Sequence, residues 1–251
     1  DVNKGGWKLE FGDGLVMDGE SSEHVIEAAG VLGKYFDILA IRSFAGLKNR
    51  DDDYAENVIN AFVDHAGIPI VNMESATGHP LQAFADLITV KEHQKKEKPK
   101  VVLTWAPHPK ALPQAVANSF VRWMKVSDVD LVVTNPEGYD LSVHVMEGVH
   151  FEPDQAKAFE DADFVYAKNW SSYSDYGQVL NTDSNWMITQ LKMELTNQGK
   201  FMHCLPVRRN VVVEDQVLDS NASIVLDQAA NRIDRKSTRL NSSHLVISYA
   251  V

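Results

Sequence analysis

The chain has 251 residues and a formal net charge of −11, with 24 lysine and arginine residues against 35 aspartate and glutamate residues. This acidity argues against nucleic acid as the main partner, because phosphate backbones need a basic face. No run of about 18 apolar residues occurs, so no membrane span is predicted, and the single cysteine, Cys204, suits a reducing, cytoplasmic compartment.

Short apolar runs alternate with amphipathic stretches along most of the chain. The runs predict seven strands: Phe36–Ile41, Ile68–Val71, Val101–Thr104, Asp130–Thr134, Phe164–Ala167, Phe201–His203 and Ser223–Leu226. Helical spacing predicts helices over Glu23–Tyr35 (capped by Ser21 or Ser22), Asp51–His65, Pro80–Glu97, Leu112–Val126 and Ser184–Asn197. This alternation predicts an α/β fold built on wound, parallel sheets.

The charged segment Lys91–Lys100 (KEHQKKEKPK) is the predicted domain boundary. It separates two α/β halves, residues 1–93 and 98–233, and contains Pro99 shortly before a new strand. Neither half contains a GxGxxG or GxxxxGK[ST] loop, so nucleotide binding through such loops is not indicated.

Polar side chains follow the apolar runs. Because ligands bind at the carboxyl ends of strands in wound sheets, these side chains are candidates for a substrate site: Arg42, Glu74, His79, His108, Lys168, Cys204, Arg208 and Arg232. Arginine binds phosphate or carboxylate through a planar fork and lysine as a point charge, so the set favours an anionic substrate. Each residue also has a structural explanation, such as a surface ion pair for Arg42 or a helix N-cap for His79.

Covalent or metal-dependent chemistry is not indicated. Cys204 is flanked by apolar residues, as small core cysteines are, and the adjacent His203 would point the opposite way on a strand. The nine histidines show no HxxxH or comparable ligand spacing, so neither a metal nor another cofactor is predicted.

Three motifs occur in a characteristic order: HPLQ (79–82), HCLPVRRN (203–210) and AANR (229–232). Together they resemble the aspartate/ornithine carbamoyltransferase superfamily. Further segments are similar to its branch acting on Nα-acylated ornithine, namely GGWKLE (5–10), MDGESSEH (17–24), NMESATGHPLQAFADLIT (72–89), LTWAPHPKALPQAVANSF (103–120) and FVYAKNW (164–170).

The resemblance covers residues 1–233 and implies a two-domain α/β fold. The first domain would bind carbamoyl phosphate, and the second, which is knotted in this branch, would bind the amino acid. It also implies a homotrimer with shared active sites that works in arginine biosynthesis on small-molecule substrates. No cofactor is implied.

The resemblance assigns a role to each candidate residue. Arg42, His79 and Cys204 would be catalytic. Carbamoyl phosphate would be bound by Trp7 (in a neighbouring subunit), Arg42, His79, Gln82, Cys204, Leu205 and Arg232. The acylated ornithine would be bound by Glu74, His108, Lys168, Leu205 and Arg208.

Ser22 is predicted to set the acyl specificity. In the segment that MDGESSEH resembles, acetylornithine enzymes carry glutamate at this position and succinylornithine enzymes carry proline. An acidic side chain would repel the extra carboxylate of a succinyl group, so Ser22 favours N-succinylornithine as the acceptor. Transfer to N-acetylornithine is the alternative.

Both ends of the sequence depart from the family pattern. The Ser-x-Arg-Thr phosphate loop is absent, and residues 234–251 (DRKSTRLNSSH, two residues, ISYAV) resemble a reading frame of a common sequencing adapter. We therefore expect a chain truncated at both ends, with a non-native tail, and little or no activity as written. The other hypothesis is a non-catalytic, ligand-binding paralogue; an in-frame Ser-x-Arg-Thr in the upstream nucleotide sequence would favour the enzyme.

Overall fold

The computed structural model describes residues 8–12 and 14–232, so Trp7 and the segment 234–251 lie outside the described residues. The strands are β1 Leu9–Glu10, β2 Glu23–His24, β3 Leu39–Arg42, β4 Ile70–Glu74, β5 Lys100–Trp105, β6 Asp130–Thr134, β7 His150–Phe151, β8 Phe164–Lys168 and β9 Lys200–Met202. The helices are α1 Val25–Tyr35, α2 Arg50–Tyr54, α3 Asn57–His65, α4 Pro80–His93, α5 Ala115–Lys125, α6 Val143–Met146, α7 Gln155–Phe159, α8 Gln190–Met193, α9 Asp215–Leu218 and α10 Val225–Ala230.

The strands form parallel sheets, as the alternation of strands and helices predicts. In the first half, β1 pairs with β2 and β3 pairs with β4. In the second half, five strands form one sheet in the order β7-β6-β5-β8-β9, in which every pairing is parallel. The predicted α/β class is therefore confirmed, whereas the knot stays a prediction.

Two layers of side chains cover the five-stranded sheet. Val101, Leu103 and Trp105 face one hydrophobic cluster, and Val102 and Ala106 face the other. Successive side chains of a strand point to opposite faces, so burial on both faces requires an uninterrupted apolar run. This requirement explains why the strand was readable from the sequence.

Helix α4 joins the two halves of the chain. It packs against α5 and also against α10. The charged residues after α4 lead directly into β5, where the sequence placed the boundary. The domain limits 1–93 and 98–233 nevertheless stay a prediction. No helix in the described ranges is long and apolar enough to cross a membrane.

The predicted helix Asp51–His65 is wrong as one element, because it is broken between α2 and α3. Glu56 takes a left-handed conformation with φ of 49° at the break. Its carboxylate oxygen Oε1 accepts hydrogen bonds from the Thr77 backbone N–H and hydroxyl, both at 2.8 Å. A tertiary contact thus stabilises a backbone conformation that helical periodicity cannot reveal.

The predicted serine cap of α1 is also wrong. Residue His24 is the N-cap, and its ring accepts a hydrogen bond from the Ile26 backbone N–H. Residues 23–24 are held in β2 by pairing with β1, so the helix begins later than Ser21 or Ser22 would place it.

Two predicted elements near the C-terminal end of the described chain require correction. Ser184–Asn197 is not one helix but a short 3-10 helix, Ser184–Trp186, followed by α8, because Ile188 forms a bridge with Val213 between them. Ser223–Leu226 is not a strand: Ser223 bridges Phe201, and the chain then enters α10. A serine followed by three apolar residues fits either structure, and the contact with Phe201 decided between them.

Candidate active site

Arg42, Glu74 and His79 form the centre of the candidate site. Arg42 and Glu74 end the neighbouring strands β3 and β4, so their side chains meet at the same edge of the sheet. Arg42 donates to Glu74 Oε2 from Nε at 3.1 Å and from a terminal nitrogen at 2.5 Å. The His79 ring nitrogen Nε2 lies 3.6 Å from the same oxygen. The strand-end pattern predicts these three residues one by one, and the resemblance assigns Arg42 and His79 to carbamoyl phosphate but Glu74 to the acylated ornithine.

His79 is held at the start of α4. It occupies the N-cap position, but its side chain makes no capping hydrogen bond, and its backbone N–H donates to Ser119 Oγ at 2.8 Å. The ring is therefore available for another role. Its buried Nδ1 has no hydrogen-bond partner in the described part of the chain.

Positive charges converge on the His79 ring. Burial lowers the pKa of His79 to about 4; Glu74 opposes this shift, and Arg42, Arg232 and Lys168 add to it. The imidazole is therefore neutral at physiological pH and can donate a hydrogen bond from one ring nitrogen only. Three cations drawn from distant parts of the sequence thus act on one side chain.

The segment HCLP contributes its backbone to the site. Arg232 donates a hydrogen bond to the Cys204 carbonyl oxygen, which ties the end of α10 to this segment. Leu205 has φ of 30° and precedes a cis peptide bond to Pro206. Burial raises the pKa of the Cys204 thiol, so the thiol stays protonated and is a poor nucleophile. This agrees with the sequence-based view that Cys204 does not act covalently.

His108 and Arg208 form a second contact, although 100 residues separate them. Arg208 Nε donates to His108 Nε2 at 3.0 Å, while His108 Nδ1 lies 2.9 Å from the Lys110 carbonyl oxygen. Burial lowers the pKa of His108, and Arg208 and Lys168 contribute. Lys168 ends β8 beside Trp105 of β5. The charge of Lys168 contributes to the lowered pKa of both His79 and His108.

Gln82 belongs to a buried polar network that the sequence did not reveal. Its amide nitrogen donates to Asp86 Oδ1 at 2.6 Å, and the Gln228 amide nitrogen donates to the same oxygen at 2.7 Å. The other end of the Gln228 side chain accepts from the His203 backbone N–H at 2.8 Å. HPLQ and HCLP are thus connected through Asp86. The signal was present in the sequence, since Asp86 lies one helical turn after Gln82.

Ser22 is not brought to this cluster by any contact that residues 8–12 and 14–232 show. Ser22 is exposed, and both its backbone N–H and its hydroxyl contact the Lys8 carbonyl oxygen. Trp7 lies outside the described residues. Among the described side chains, no group of three or more histidine, cysteine or acidic residues could hold a metal ion.

Two side chains that could bind an anion, Arg42 and Lys168, end parallel strands, and both act on the neutral imidazole of His79, an arrangement that suits an anionic ligand. Two family models match the chain: the carbamoyl-P binding domain of aspartate/ornithine carbamoyltransferases over residues 4–92 and the Asp/Orn binding domain over residues 113–239. The chain belongs to the aspartate/ornithine carbamoyltransferase family, as the motifs predicted.

Individual relatives show which branch of the family this chain is similar to. The chain is 54% identical over 234 residues to N-succinylornithine carbamoyltransferase of Bacteroides fragilis strain 638R, which covers 92% of this chain and 74% of the relative. The corresponding enzyme of Bacteroides thetaiotaomicron is 53% identical with the same coverage. Among solved structures, a glutamate-to-valine variant of N-acetyl-L-ornithine transcarbamylase complexed with carbamyl phosphate and N-succinyl-L-norvaline matches with a TM-score of 0.86 and 35% identity, over 92% of this chain and 75% of that one.

Proposed function

We propose that the protein transfers the carbamoyl group of carbamoyl phosphate to the δ-amine of N2-succinyl-L-ornithine, forming N-succinyl-L-citrulline and phosphate. The observation that carries this proposal is the convergence of Arg42, Lys168 and Arg232 on the neutral ring of His79. An anionic acyl phosphate and an acceptor with carboxylate groups both require such a local excess of positive charge, which the net charge of −11 does not provide.

We assign carbamoyl phosphate to the part of the site that contains HPLQ and AANR. Arg42, His79, Gln82 and Arg232 would bind it with the backbone of Cys204 and Leu205, and Trp7 would reach the site of a neighbouring subunit. Two contacts support this assignment. Arg42 donates a hydrogen bond to Glu74, and Arg232 donates one to the Cys204 carbonyl oxygen. The 49% exposed side chain of Arg42 is accessible to a ligand.

We assign the acylated ornithine to the part of the site that contains HCLPVRRN. Glu74, His108, Lys168, Leu205 and Arg208 would bind it. The Arg208–His108 contact supports this assignment, because it positions a guanidinium group for a carboxylate of the acceptor. Glu74 lies next to Arg42, so an amine bound by Glu74 would be close to a carbamoyl group bound by Arg42.

The reaction follows from these positions. The lone pair of the δ-nitrogen forms a bond to the carbamoyl carbon, and the bond from that carbon to the phosphate oxygen breaks with its electrons leaving on phosphate. The nitrogen loses one proton, which the phosphate accepts. Negative charge that develops on the carbonyl oxygen is stabilised by Arg42 and by neutral His79 as a hydrogen-bond donor. One such donor contributes about 3–4 kcal/mol, and aligning two bound substrates contributes about 7–11 kcal/mol.

Ser22 supports succinyl rather than acetyl as the acyl group, because a serine does not repel a carboxylate. Variants of N-acetyl-L-ornithine transcarbamylase in which one glutamate is replaced by serine or valine are complexed with N-succinyl-L-norvaline. These complexes agree with the expectation that loss of an acidic side chain admits the succinyl group.

We further propose a homotrimer located in the cytoplasm, with domain limits at residues 1–93 and 98–233. A trimer would allow Trp7 to complete a neighbouring site. The single free cysteine suits a reducing compartment.

The test is a comparison of kcat/KM for N-succinylornithine, N-acetylornithine and ornithine, using the protein encoded by the complete reading frame that contains this sequence. We expect N-succinylornithine to be carbamoylated at least tenfold more efficiently than the other two. Preference for N-acetylornithine would reject the acyl assignment, and no transfer to any of the three would reject the enzyme in favour of a ligand-binding paralogue.

A further inference from the structure

Asp86 is a buried carboxyl group at the centre of the site's supporting structure. Its side chain is fully buried on α4, one turn beyond Gln82. A single oxygen, Oδ1, accepts both the Gln82 amide at 2.6 Å and the Gln228 amide at 2.7 Å. Gln228 lies 142 residues further along the chain, so the two donors come from helices of different halves.

The contact with Asp86 fixes which end of the Gln82 amide faces the carboxyl. Asp86 Oδ1 accepts the hydrogen bond from the Gln82 NH2 group, so the amide oxygen of Gln82 is turned away from the carboxyl group. Gln82 Oε1 is buried and, among the described residues, receives no hydrogen bond. A buried oxygen without a donor is unfavourable unless a ligand supplies one. The carbamoyl group supplies an NH2 donor of this kind.

The second contact extends to the HCLP segment. Gln228 receives the His203 backbone N–H at 2.8 Å through its own amide oxygen, so its orientation is also set by Asp86. His203 directly precedes Cys204 and Leu205, whose backbone the proposed function assigns to both substrates. One carboxyl group is therefore connected to both sides of the reacting centre.

We infer that Asp86 is a positioning residue of the active site, which orients the Gln82 amide oxygen toward the carbamoyl nitrogen and, through Gln228, holds the backbone of the HCLP segment. This inference rests on the proposed function for the identity of the ligand. The contacts themselves do not depend on that function.

The environment of Asp86 supports this role. Burial raises its pKa to about 7, and the hydrogen bonds from Gln228 and Gln82 act against the shift. The Tyr166 hydroxyl and Arg232 also act against it. Asp86 therefore keeps an acceptor oxygen toward both amides in either protonation state, since only one of its oxygens can carry the proton.

The kinetic test replaces Asp86 with leucine, which removes the acceptor, and with asparagine, which retains one. In the complete gene product, we expect Asp86→Leu to raise KM for carbamoyl phosphate at least about tenfold, as expected when a buried partner is lost, and Asp86→Asn to stay within about threefold. Combined with Gln82→Ala, Asp86→Leu should add less than about threefold, because contacting residues are not additive. An unchanged KM in Asp86→Leu, or an equal rise in both backgrounds, would contradict the inference.

Thr89→Val is the matched control. Thr89 is equally buried on the same helix face and accepts a hydrogen bond from Asn231, but it lies one turn further from Gln82. We expect it to lower stability without changing KM for carbamoyl phosphate. A rise in KM equal to that of Asp86→Leu would show a general packing effect and overturn the positioning role.

A second measurement requires neither turnover nor the leucine variant. In 15N-labelled protein, the side-chain NH2 resonances of Gln82 and Gln228 should both move when Asp86 is changed to asparagine, because their acceptor changes from a carboxyl to an amide oxygen. Unchanged resonances would overturn the inference. The NMR result does not depend on wild-type activity, which tests the proposed function. Failure of the inference about Asp86 can therefore be distinguished from failure of the proposed function.

Discussion

Arg42 donates two hydrogen bonds to a single oxygen of Glu74, at 3.1 and 2.5 Å, although 32 residues separate them in the sequence. Both end neighbouring parallel strands, and Glu74 is largely buried whereas Arg42 is about half exposed. The carboxylate therefore holds the guanidinium group in one orientation before a substrate arrives, and the exposed part of Arg42 remains available to bind it. In the proposed reaction, this arrangement would provide a preorganised donor for the developing oxyanion.

Arg42→Lys should lower kcat by about 100-fold to 1,000-fold, because lysine cannot bind Glu74 through two nitrogens and still present a planar fork to the substrate. Steady-state kinetics of carbamoyl transfer measure the effect. Arg122→Lys, an exposed change on α5, is the control and should leave kcat unchanged. A loss below tenfold for Arg42→Lys would argue against a contact with the reacting group.

Ser22→Glu should shift acyl preference away from succinyl. The new carboxylate would repel the free carboxylate of N-succinylornithine but not the uncharged acetyl group, and one close pair of charges near a surface changes binding by about tenfold or more. The ratio of kcat/KM for the two acceptors is the measurement. Ser21→Glu adds the same charge one residue earlier and should change the ratio less; equal effects of the two variants would contradict a specific role of Ser22.

His79 should titrate near pH 4 in the folded protein. Burial lowers its pKa to about 4, so the ring stays neutral through the physiological range and regains a normal pKa near 6.5 only on unfolding. Between about pH 6.5 and 4 only the unfolded chain binds a proton at His79. The free energy of unfolding is therefore fully retained above about pH 6.5 and decreases as the pH falls toward 4. An NMR titration of the His79 ring in native protein and in urea tests both values; a native pKa above 6 would contradict this electrostatic description.

Asp86→Asn should change the pH dependence of stability with a defined sign. Because the folded pKa is raised to about 7, the native state retains a proton between pH 4 and 7 that the unfolded chain releases. The free energy of unfolding of the wild type, relative to that of the variant, should therefore fall by about 1–4 kcal/mol as the pH rises from 4 to 7. The groups facing Asp86 are Gln82, Gln228, Tyr166, Cys204 and Arg232. Urea unfolding from pH 4 to 8 measures this difference in the free energy of unfolding. A difference that increases with pH would contradict the raised pKa of Asp86.

Gly177→Ala should destabilise the contact between the two halves of the chain. A β-carbon at residue 177 would lie 2.0 Å from the Leu47 carbonyl oxygen, which belongs to the backbone and cannot rotate away. We expect a loss of about 2 kcal/mol or more in the free energy of unfolding. Gly148→Ala is the matched control, since Gly148 has nearly the same φ (72° against 74°) but no atom within 4 Å of the added carbon. Equal losses for the two variants would exclude the clash as the cause.

The sequence by itself determined the fold class, the family and the chemical types in the site. Buried parallel strands such as β5 and β8 must be continuous apolar runs, and HPLQ and HCLP place particular side chains next to them, so both features can be read locally. The wrong assignments were those that depend on a tertiary contact. Four residues at 223–226 fit a strand or a helix equally well, and Glu56 interrupts a helical pattern only because it accepts hydrogen bonds from Thr77.

Only the tertiary structure decided which of these residues meet. The pairs Arg42–Glu74, His108–Arg208 and Asp86–Gln228 are 32, 100 and 142 residues apart. No local periodicity encodes such a distance, because it depends on strand order, register and helix packing together. The composition indicated an acidic protein, with 35 acidic residues against 24 basic ones. The fold brings Arg42, Lys168 and Arg232 to one neutral histidine, because β3 and β8, which belong to two different parallel sheets, end in Arg42 and Lys168, and Arg232 follows α10.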